Sequence, residues 1–354
     1  MTPLGLGIIG LHHQHPRWYH PLWAQLPQYR PVAVAEADEA FLAAESEFFG
    51  LDAYADYRGL LERDDIDVVI IWLPHSQMPR AVADAAAAGK HAIVEKPCAA
   101  DLAGARRIVE AARQHPDVRI SAPYCWRTHP VSAELRRAVD EGVLGQVMAM
   151  EGRLNAGGAH RYVRDHALWM LRSAEGGGPM WNLGVHWIDY FRWLTRREVV
   201  RVAGAVSGPA GGPPRDIEDN AQAVLTFDGG ATAVLDISYA VPDSYPGKRD
   251  IYVALRGSRG SAAWAPGWQG LTDELLLVSD HLDAPDRCRR VRVASRDIPG
   301  YCGQMAWQWL ADFAAAARGE KPLDVTADDI LAAVQVVDAF RRSVESGRTE
   351  DVET

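Results

Sequence analysis

Two short stretches of the sequence place charged or proton-accepting side chains next to residues that determine the backbone conformation, a proline in one and a run of glycines in the other. In the first, Glu95, Lys96 and Pro97 follow an apolar run that ends at Val94. Branched apolar residues predict a buried parallel strand, and proline cannot continue the pairing, so the charged pair should stand at the carboxyl end of that strand. Open α/β sheets bind ligands at this edge. The alternative is a strand end whose charges simply meet solvent.

The second stretch joins a run of glycines to a helix that carries a histidine. Residues 176–178 are all glycine and predict a tightly turned entry to the helix. Asn182 and His186 are four residues apart and should share a helix face, and Asp189 is placed to orient the His186 ring. Imidazole can accept a proton near neutral pH. A lone helical histidine can equally be a structural residue.

Strands and helices are predicted to alternate over the first 122 residues. The predicted strands cover residues 4–9, 32–35, 66–73, 91–94 and 118–122, and the predicted helices cover 18–26, 81–88 and a segment after Asp101. Short connections between alternating strands and helices predict a doubly wound parallel sheet.

The turn after the first predicted strand departs from the usual dinucleotide-binding fingerprint. Gly5, Gly7 and Gly10 have the GxGxxG spacing, but the first two fall inside the strand, whereas the fingerprint follows a strand. If Gly10 is the first glycine of the turn, His12 and His15 occupy the second and third glycine positions. We expect a polar loop that donates hydrogen bonds to a phosphate or a substrate. Surface histidines and a zinc site are the alternatives, and no nearby cysteine or acid at ligand spacing supports zinc.

Further candidate ligand-binding residues lie at the ends of other predicted strands. Glu36 follows Gly10 at nearly the spacing at which an acid binds the ribose hydroxyls of NAD. Residues 37–39 contain no arginine or lysine for a 2′-phosphate, which favours NAD over NADP. Pro74 and His75 close the strand predicted at 66–73.

Beyond residue 123 the alternation gives way to consecutive strands. Strands are predicted at residues 146–154, 201–207, 221–227, 231–239 and 251–256, with a tight turn at 228–230 and helices at 304–318 and 327–346. This pattern predicts an α+β domain with an open, largely antiparallel sheet. The predicted domains are therefore residues 1–122 and 123–354.

Composition limits the classes of partner. With 48% hydrophobic and 24% charged residues, the 354-residue chain has the composition of a globular protein. A formal net charge of −10 argues against nucleic acid and anionic membrane as partners. The four cysteines lack CxxC spacing, and no long uncharged apolar run is present. We expect a cytoplasmic protein with no resident metal.

Taken together, these motifs resemble the glucose-fructose oxidoreductase/inositol dehydrogenase (Gfo/Idh/MocA) family. The resemblance spans almost the whole chain, with its motifs at residues 7–10, 32–36, 67–74, 89–97, 127–130, 142–145 and 176–189. It implies an N-terminal Rossmann domain and a C-terminal domain whose sheet forms a homo-oligomer, a dimer or tetramer. It also implies hydride transfer between NAD, or NADP, and a hydroxyl carbon of a sugar, polyol or related compound.

The resemblance further implies roles for individual residues. Lys96 would contact the reacting hydroxyl, and His186 would accept its proton with Asn182 beside it, where many members have Asp. Arg127, Trp126 and Asp189 are candidates for substrate binding. The implied cofactor-binding residues are Gly10, His12, His15, Glu36, Pro74, His75, Glu95 and Lys96.

Two other functions remain compatible with these residues. One is a glycosidase that uses NAD for a transient oxidation, which would retain Lys96 and His186. The other is a non-catalytic regulator that binds a sugar or nucleotide. The histidines at two glycine positions of the turn after the first predicted strand favour this function.

Overall fold

The computed structural model describes residues 2–209, 211–267 and 271–353. Among these residues the strands, in chain order, are β1 (Leu4–Ile9), β2 (Tyr29–Ala35), β3 (Asp52–Tyr54), β4 (Val68–Ile71), β5 (His91–Val94), β6 (Ile120–Ser121), β7 (Val147–Ala156), β8 (Val199–Ser207), β9 (Asn220–Phe227), β10 (Thr232–Ser238), β11 (Arg249–Gly257), β12 (Gly260–Trp264), β13 (Thr272–Ser279), β14 (Cys288–Ala294) and β15 (Glu350–Asp351). The α-helices are α1 (His15–Trp23), α2 (Glu39–Phe49), α3 (Tyr57–Leu61), α4 (Met78–Ala87), α5 (Leu102–Gln114), α6 (Pro130–Asp140), α7 (His160–Arg164), α8 (Val185–Thr195), α9 (Gly303–Ala317) and α10 (Ala327–Ser346). No helix in the described part of the chain is long and apolar enough to cross a membrane.

The chain forms two compact units, each built from more than one segment. Unit 1 consists of Met1–Pro123, Tyr162–Gly177 and Ile298–Val334, and unit 2 consists of Tyr124–Arg161, Gly178–Asp297 and Gln335–Thr354. The first junction lies one residue from the predicted boundary. The predicted second domain, residues 123–354, is not continuous, because two of its segments belong to unit 1.

Buried hydrogen bonds within unit 1 explain why the segment Ile298–Val334 belongs to it. The Tyr29 hydroxyl donates to the carbonyl oxygen of Leu310 at 2.7 Å, and the Ser121 hydroxyl donates to that of Val325 at 2.7 Å. Each bond joins a strand of the early sheet to a residue more than 200 positions later, with separations of 281 and 204 residues. Such pairings have no local sequence signal.

The sheet of unit 1 has the order β3-β2-β1-β4-β5-β6 across the residues described, and every neighbouring pair is parallel. This confirms the predicted doubly wound architecture. The strand order reverses between β1 and β4, so a crevice opens at their carboxyl ends, where dinucleotides bind in this topology. Strand β4 is shorter than the predicted 66–73, while β5 has the predicted bounds.

Gly5 and Gly7 lie within β1, as the apolar run over residues 4–9 predicted. A Cβ atom on Gly5 would lie 1.8 Å from the carbonyl oxygen of Asp65, and one on Gly7 would lie 2.6 Å from the Leu60 side chain. Both glycines therefore serve close packing of β1 against the loop and helix beside it.

Unit 2 contains a mixed sheet with the order β14-β13-β12-β11-β7-β10-β9-β8-β15 in its described residues. All neighbouring pairs are antiparallel except β7 and β10, which confirms the largely antiparallel prediction. Helix α8 packs closely on this sheet, since a Cβ atom on Gly152 would lie 2.9 Å from the Trp187 ring. The other sheet face carries exposed side chains.

Candidate active site

The turn after β1 in unit 1 requires glycine at its first position. Gly10 has a φ of +86°, and a Cβ atom there would lie 2.8 Å from the carbonyl carbon of Trp72. Its amide donates to the carbonyl oxygen of Ala35 at 2.8 Å. The turn is thereby held at the edge where β1, β2 and β4 end.

The two histidines that stand at glycine positions in this turn have different neighbours. The His12 ring stacks on Phe41 at a centroid distance of 4.1 Å, and its Nε2 lies 3.4 Å from Asp38 Oδ2. The His15 ring is buried, and its Nδ1 lies 2.9 Å from Glu95 Oε2. Across the described residues, no group of three His, Cys, Asp or Glu side chains is arranged to hold a metal ion.

Glu36 connects the end of β2 to the turn after β1. Its carboxylate accepts a hydrogen bond from the Leu11 amide at 2.7 Å and another from the Asp38 amide at 3.2 Å. The side chain is buried apart from a small exposed fraction. It lies at the predicted edge of the sheet, and its contact with a ribose stays a prediction.

Glu95 is the centre of a buried polar cluster at the end of β5. Its side chain is 1% exposed, and Oε2 accepts a hydrogen bond from Trp72 Nε1 at 3.1 Å in addition to the His15 contact. Lys96 Nζ lies 3.6 Å from Oε1. Burial would raise the pKa of Glu95, but the neighbouring His15 and Lys96 hold it well below its usual range. The ionised carboxylate therefore lies within ion-pair distance of the Lys96 ammonium group.

His75 follows β4 and is completely buried. Its Nδ1 lies 3.2 Å from the carbonyl oxygen of Gly176, and its ring meets the Trp169 indole edge-on at 4.7 Å. Burial, with a contribution from Lys96, lowers the pKa of His75 to about 3. The preceding Pro74 accepts hydrogen bonds from two amides at the start of α4, those of Gln77 and Met78.

Sequence reasoning missed two contributors to this cluster, His13 as a site residue and Trp169. Trp169 Nε1 donates to the carbonyl oxygen of His12 at 3.0 Å, so the segment Tyr162–Gly177 braces the turn after β1. The glycines of residues 176–178 were predicted only as a helix entry, whereas Gly176 supplies the carbonyl group that binds His75. A tryptophan in an unassigned segment gives no pattern from which this role could be inferred.

In unit 2 the predicted helix begins with a wider turn. Met180–Gly184 is π-helical, and α8 follows from Val185. Asn182 is buried, its Nδ2 donates to the Tyr239 hydroxyl at 3.1 Å, and that hydroxyl donates to the carbonyl oxygen of Gly178 at 3.1 Å. π-Turns inside helices are frequent at functional sites. This one fixes the orientation of the Asn182 amide.

His186 lies in the first turn of α8 and is half-buried, with its ring edge-on to Tyr124 at 6.1 Å. One turn later, Asp189 is buried and accepts two hydrogen bonds from Arg127, one of them from Nε at 2.9 Å. Two predicted substrate residues are thus brought together as a bidentate ion pair, which the helix spacing did not reveal. Orientation of His186 by Asp189 stays a prediction.

Trp126, the third predicted substrate residue, is buried in the core of unit 2. Its ring lies 5.0 Å from Trp187 and 5.8 Å from Trp264. These contacts give it a packing role. Substrate contact by Trp126 stays a prediction.

Comparison with known proteins supports the assignment that fold and residues suggest. Residues 4–122 match the oxidoreductase family with an NAD-binding Rossmann fold, and residues 132–263 match the GFO/IDH/MocA C-terminal domain. The chain is 29% identical to the uncharacterised oxidoreductase ORF334 of Rhizobium meliloti over 91% of both chains. It is 28% identical to D-apiose dehydrogenase of Paraburkholderia graminis over 99% of this chain and 89% of that one.

A solved structure shows the same fold. The oxidoreductase from Agrobacterium radiobacter in complex with NAD+, L-tartaric acid and magnesium matches with a TM-score of 0.83 at 19% identity, covering 99% of both chains. The family match over residues 4–122 shows that the chain is an oxidoreductase with an NAD-binding Rossmann fold. It belongs to the Gfo/Idh/MocA family.

The residues of unit 1 fit NAD despite the histidines in the turn. Gly10 permits the tight turn that the first glycine of a dinucleotide fingerprint supplies, because its φ is +86° and a Cβ atom there would lie 2.8 Å from the backbone of Trp72. The strand order reverses at this point, and Glu36 stands at the end of β2 beside the turn. Gly10 and Glu36 would hold the dinucleotide here.

Proposed function

We propose that this oxidoreductase transfers hydride between NAD and a hydroxyl carbon of a sugar, polyol or related compound. The observation that carries the proposal is the Lys96 ammonium group, which stands 3.6 Å from a buried, ionised carboxylate at the ligand edge of a Rossmann sheet. A relative named D-apiose dehydrogenase supports the substrate class. We also propose a cytoplasmic enzyme whose partner is a small molecule, not nucleic acid or a membrane.

Each step of alcohol oxidation has a candidate residue in the chain. NAD, when bound, would supply the acceptor for the hydride that leaves the carbon. Lys96 stabilises the negative charge that develops on the hydroxyl oxygen, and neutral His186 accepts the proton that the oxygen loses. The products are a carbonyl compound, reduced cofactor and one proton on imidazole. Glu95 acts as a positioning residue for Lys96, since its ionised carboxylate lies 3.6 Å from Nζ.

Glu36 supports a preference for NAD over NADP. Its carboxylate is fixed by two backbone amides, those of Leu11 and Asp38. A 2′-phosphate at this position would meet negative charge, whereas ribose hydroxyls can donate hydrogen bonds to it. Calorimetry with each cofactor tests this preference, and tighter binding of NADP would contradict it.

The proposed reaction is tested with purified protein, NAD and a panel of sugars and polyols. Net formation of NADH, followed by its near-ultraviolet absorbance, is the expected result. Cleavage of a glycoside without net NADH would instead indicate the glycosidase. Binding of NAD and sugar without either reaction would indicate a regulator.

We further propose that the exposed face of the unit 2 sheet joins copies of this chain. Val224 and Val234 are paired across β9 and β10, with exposures of 46% and 49%. Large apolar side chains adjacent on a sheet face indicate a contact surface. A dimer or tetramer formed through this face would bury them.

A further inference from the structure

Two buried histidines of unit 1 have ring nitrogens that the protein does not satisfy. Nε2 of His13 and Nε2 of His75 have no hydrogen-bond partner among the described residues. Both rings lie against the Trp169 indole, at centroid distances of 5.9 Å and 4.7 Å. Because buried polar atoms are nearly always hydrogen-bonded in native proteins, two such atoms in one cluster indicate a bound group.

Hydrogen bonding determines which nitrogen of His13 carries the proton. The His15 amide donates to His13 Nδ1 at 3.0 Å, so Nδ1 must present a lone pair. Burial, followed by the charge of His15, lowers the pKa of His13 well below its usual value, and the ring is neutral. The single ring proton is therefore on Nε2. The unsatisfied atom of His13 is a hydrogen-bond donor.

His75 has the opposite tautomer. Its Nδ1 lies 3.2 Å from the carbonyl oxygen of Gly176, which can only accept, so the proton is on Nδ1. Because the ring is buried and neutral, Nε2 presents a lone pair. The unsatisfied atom of His75 is a hydrogen-bond acceptor.

The place of this pair in the fold indicates which part of a dinucleotide it meets. His13 follows β1 and His75 follows β4, the two strands between which the sheet order reverses. The acid that would bind the adenosine ribose, Glu36, follows β2 on the other side of β1. The β4 side of the crevice is therefore left for the nicotinamide half.

We propose that His13 and His75 recognise the carboxamide of the nicotinamide. Nε2–H of His13 donates to the carboxamide oxygen, and the carboxamide NH2 donates to Nε2 of His75. A primary carboxamide offers an acceptor and a donor on one planar group, which matches the two tautomers. The inference rests on the proposed NAD-dependent function. It assigns a role to His13, in the turn after β1, and to His75, in the loop after β4, whose unsatisfied ring nitrogens have no other assigned function.

The test compares NAD with its 3-acetylpyridine analogue, in which a methyl group replaces the carboxamide NH2. Calorimetry should show that wild-type protein binds the analogue about tenfold more weakly, because a buried acceptor on His75 loses its partner. In His75→Phe the two affinities should become equal within about twofold, since no acceptor remains to be satisfied. Ser76→Ala, in the same loop as His75 with its hydroxyl on Glu175, is the matched control and should keep the wild-type ratio.

The thionicotinamide analogue, whose sulfur is a weaker acceptor, tests His13 in the same way. Wild-type protein should bind it more weakly than NAD, and His13→Phe should lose this difference while keeping discrimination against the acetylpyridine analogue. Equal binding of NAD and the acetylpyridine analogue by wild-type protein would overturn the inference, and would indicate a water molecule between the two rings. An unchanged ratio in His75→Phe would also overturn it. Failure of wild-type protein to bind NAD at all is a separate result that removes the proposed function first.

Discussion

The position of Lys96 depends on a side chain that solvent does not reach. Glu95 is buried with Trp72 and His15 on one oxygen and Lys96 on the other. A solvated strand end, the alternative that the sequence allowed, would not need this arrangement. The cluster holds a cation at the ligand edge of the sheet, where the proposed reaction needs one.

Replacement of Lys96 by Met should lower turnover by about a hundredfold or more, because a charged contact to the developing alkoxide is lost. The affinity for NAD should change little in comparison. Steady-state kinetics and calorimetry on the same preparation measure both quantities. Lys90→Met is the control, since Lys90 precedes the same strand and donates to the Arg63 carbonyl oxygen. Turnover of Lys96→Met within a few-fold of wild type would return the lysine to a structural role.

Asn182 gives a second test at the scale of one residue. Its amide donates to Tyr239, so Asn182→Asp replaces a donor four residues before His186 with a negative charge. A nearby carboxylate stabilises imidazolium, and the midpoint of the pH–rate profile for oxidation should move to higher pH. The measurement is the profile at saturating cofactor for wild type and Asn182→Asp.

Two further variants separate charge from geometry in that experiment. Tyr239→Phe removes the hydroxyl that orients Asn182 without adding charge, so its midpoint should stay near that of wild type. His186→Ala should lose most of its activity, because no other proton acceptor is assigned. An unshifted midpoint in Asn182→Asp would remove Asn182 from the proposed mechanism, and full activity in His186→Ala would remove the histidine.

At the scale of elements, local patterns predicted β5 with its bounds and the Asp101 cap of α5, which accepts from the Gly104 amide at 2.7 Å. Helix α10 also has the predicted bounds, 327–346. These elements have strong local signals: apolar runs, capping residues and helical periodicity. The two-residue β6 was predicted longer, at 118–122, since an apolar run does not show how far its pairing extends.

Other elements could not be predicted because their local patterns are weak. Strands β12, β13 and β14 pair consecutively at one edge of the unit 2 sheet, and β14 carries arginine at three of its seven positions, so it lacks a clear apolar run. The π-turn Met180–Gly184 depends on packing, since a Cβ atom on Gly184 would lie 2.3 Å from Met180 Sδ. A local pattern does not distinguish such a turn from regular helix.

The loop between β4 and α4 should make the stability of the cofactor-free protein depend on pH. The pKa of buried His75 is lowered to about 3, so the unfolded chain binds more protons than the folded one below the usual value of 6.5. Stability from this residue is complete above that value and is lost as pH falls towards 3. Between pH 7 and pH 5 the loss from His75 should be about 2 kcal/mol.

Denaturant unfolding at the two pH values, for wild type and His75→Asn, measures this loss. The variant should show a smaller decrease in unfolding free energy than wild type, with a residual decrease from His13, whose pKa is also lowered. Ser76→Ala is the control, because Ser76 lies in the same loop, donates to Glu175 and does not titrate in this range. Equal decreases in wild type and His75→Asn would contradict the assignment of a buried, neutral ring.

At the scale of the whole molecule, the sequence predicted two domains that follow each other along the chain. It did not predict that two later segments belong to the first unit. Ile298–Val334 belongs to unit 1 through contacts such as that between Tyr29 and Leu310. The segment Tyr162–Gly177 likewise brings Trp169 to the turn after β1. Some of the contacts that stabilise unit 1 thus come from residues beyond position 160, where sequence patterns predicted only a second domain.

The exposed face of the unit 2 sheet leads to a prediction about assembly. Val234→Lys places a charge beside the paired Val224 on β9, at a position that is 49% exposed, so the fold should tolerate it. A charge buried without a partner in an interface is costly, and the variant should therefore shift the protein from an oligomer towards the monomer. Light scattering after size-exclusion chromatography measures the mass of each species. Val163→Lys, at an exposed valine of unit 1, is the matched control and should keep the wild-type mass. A monomeric wild-type protein, or an oligomer that Val234→Lys leaves intact, would show that this face does not join copies of the chain.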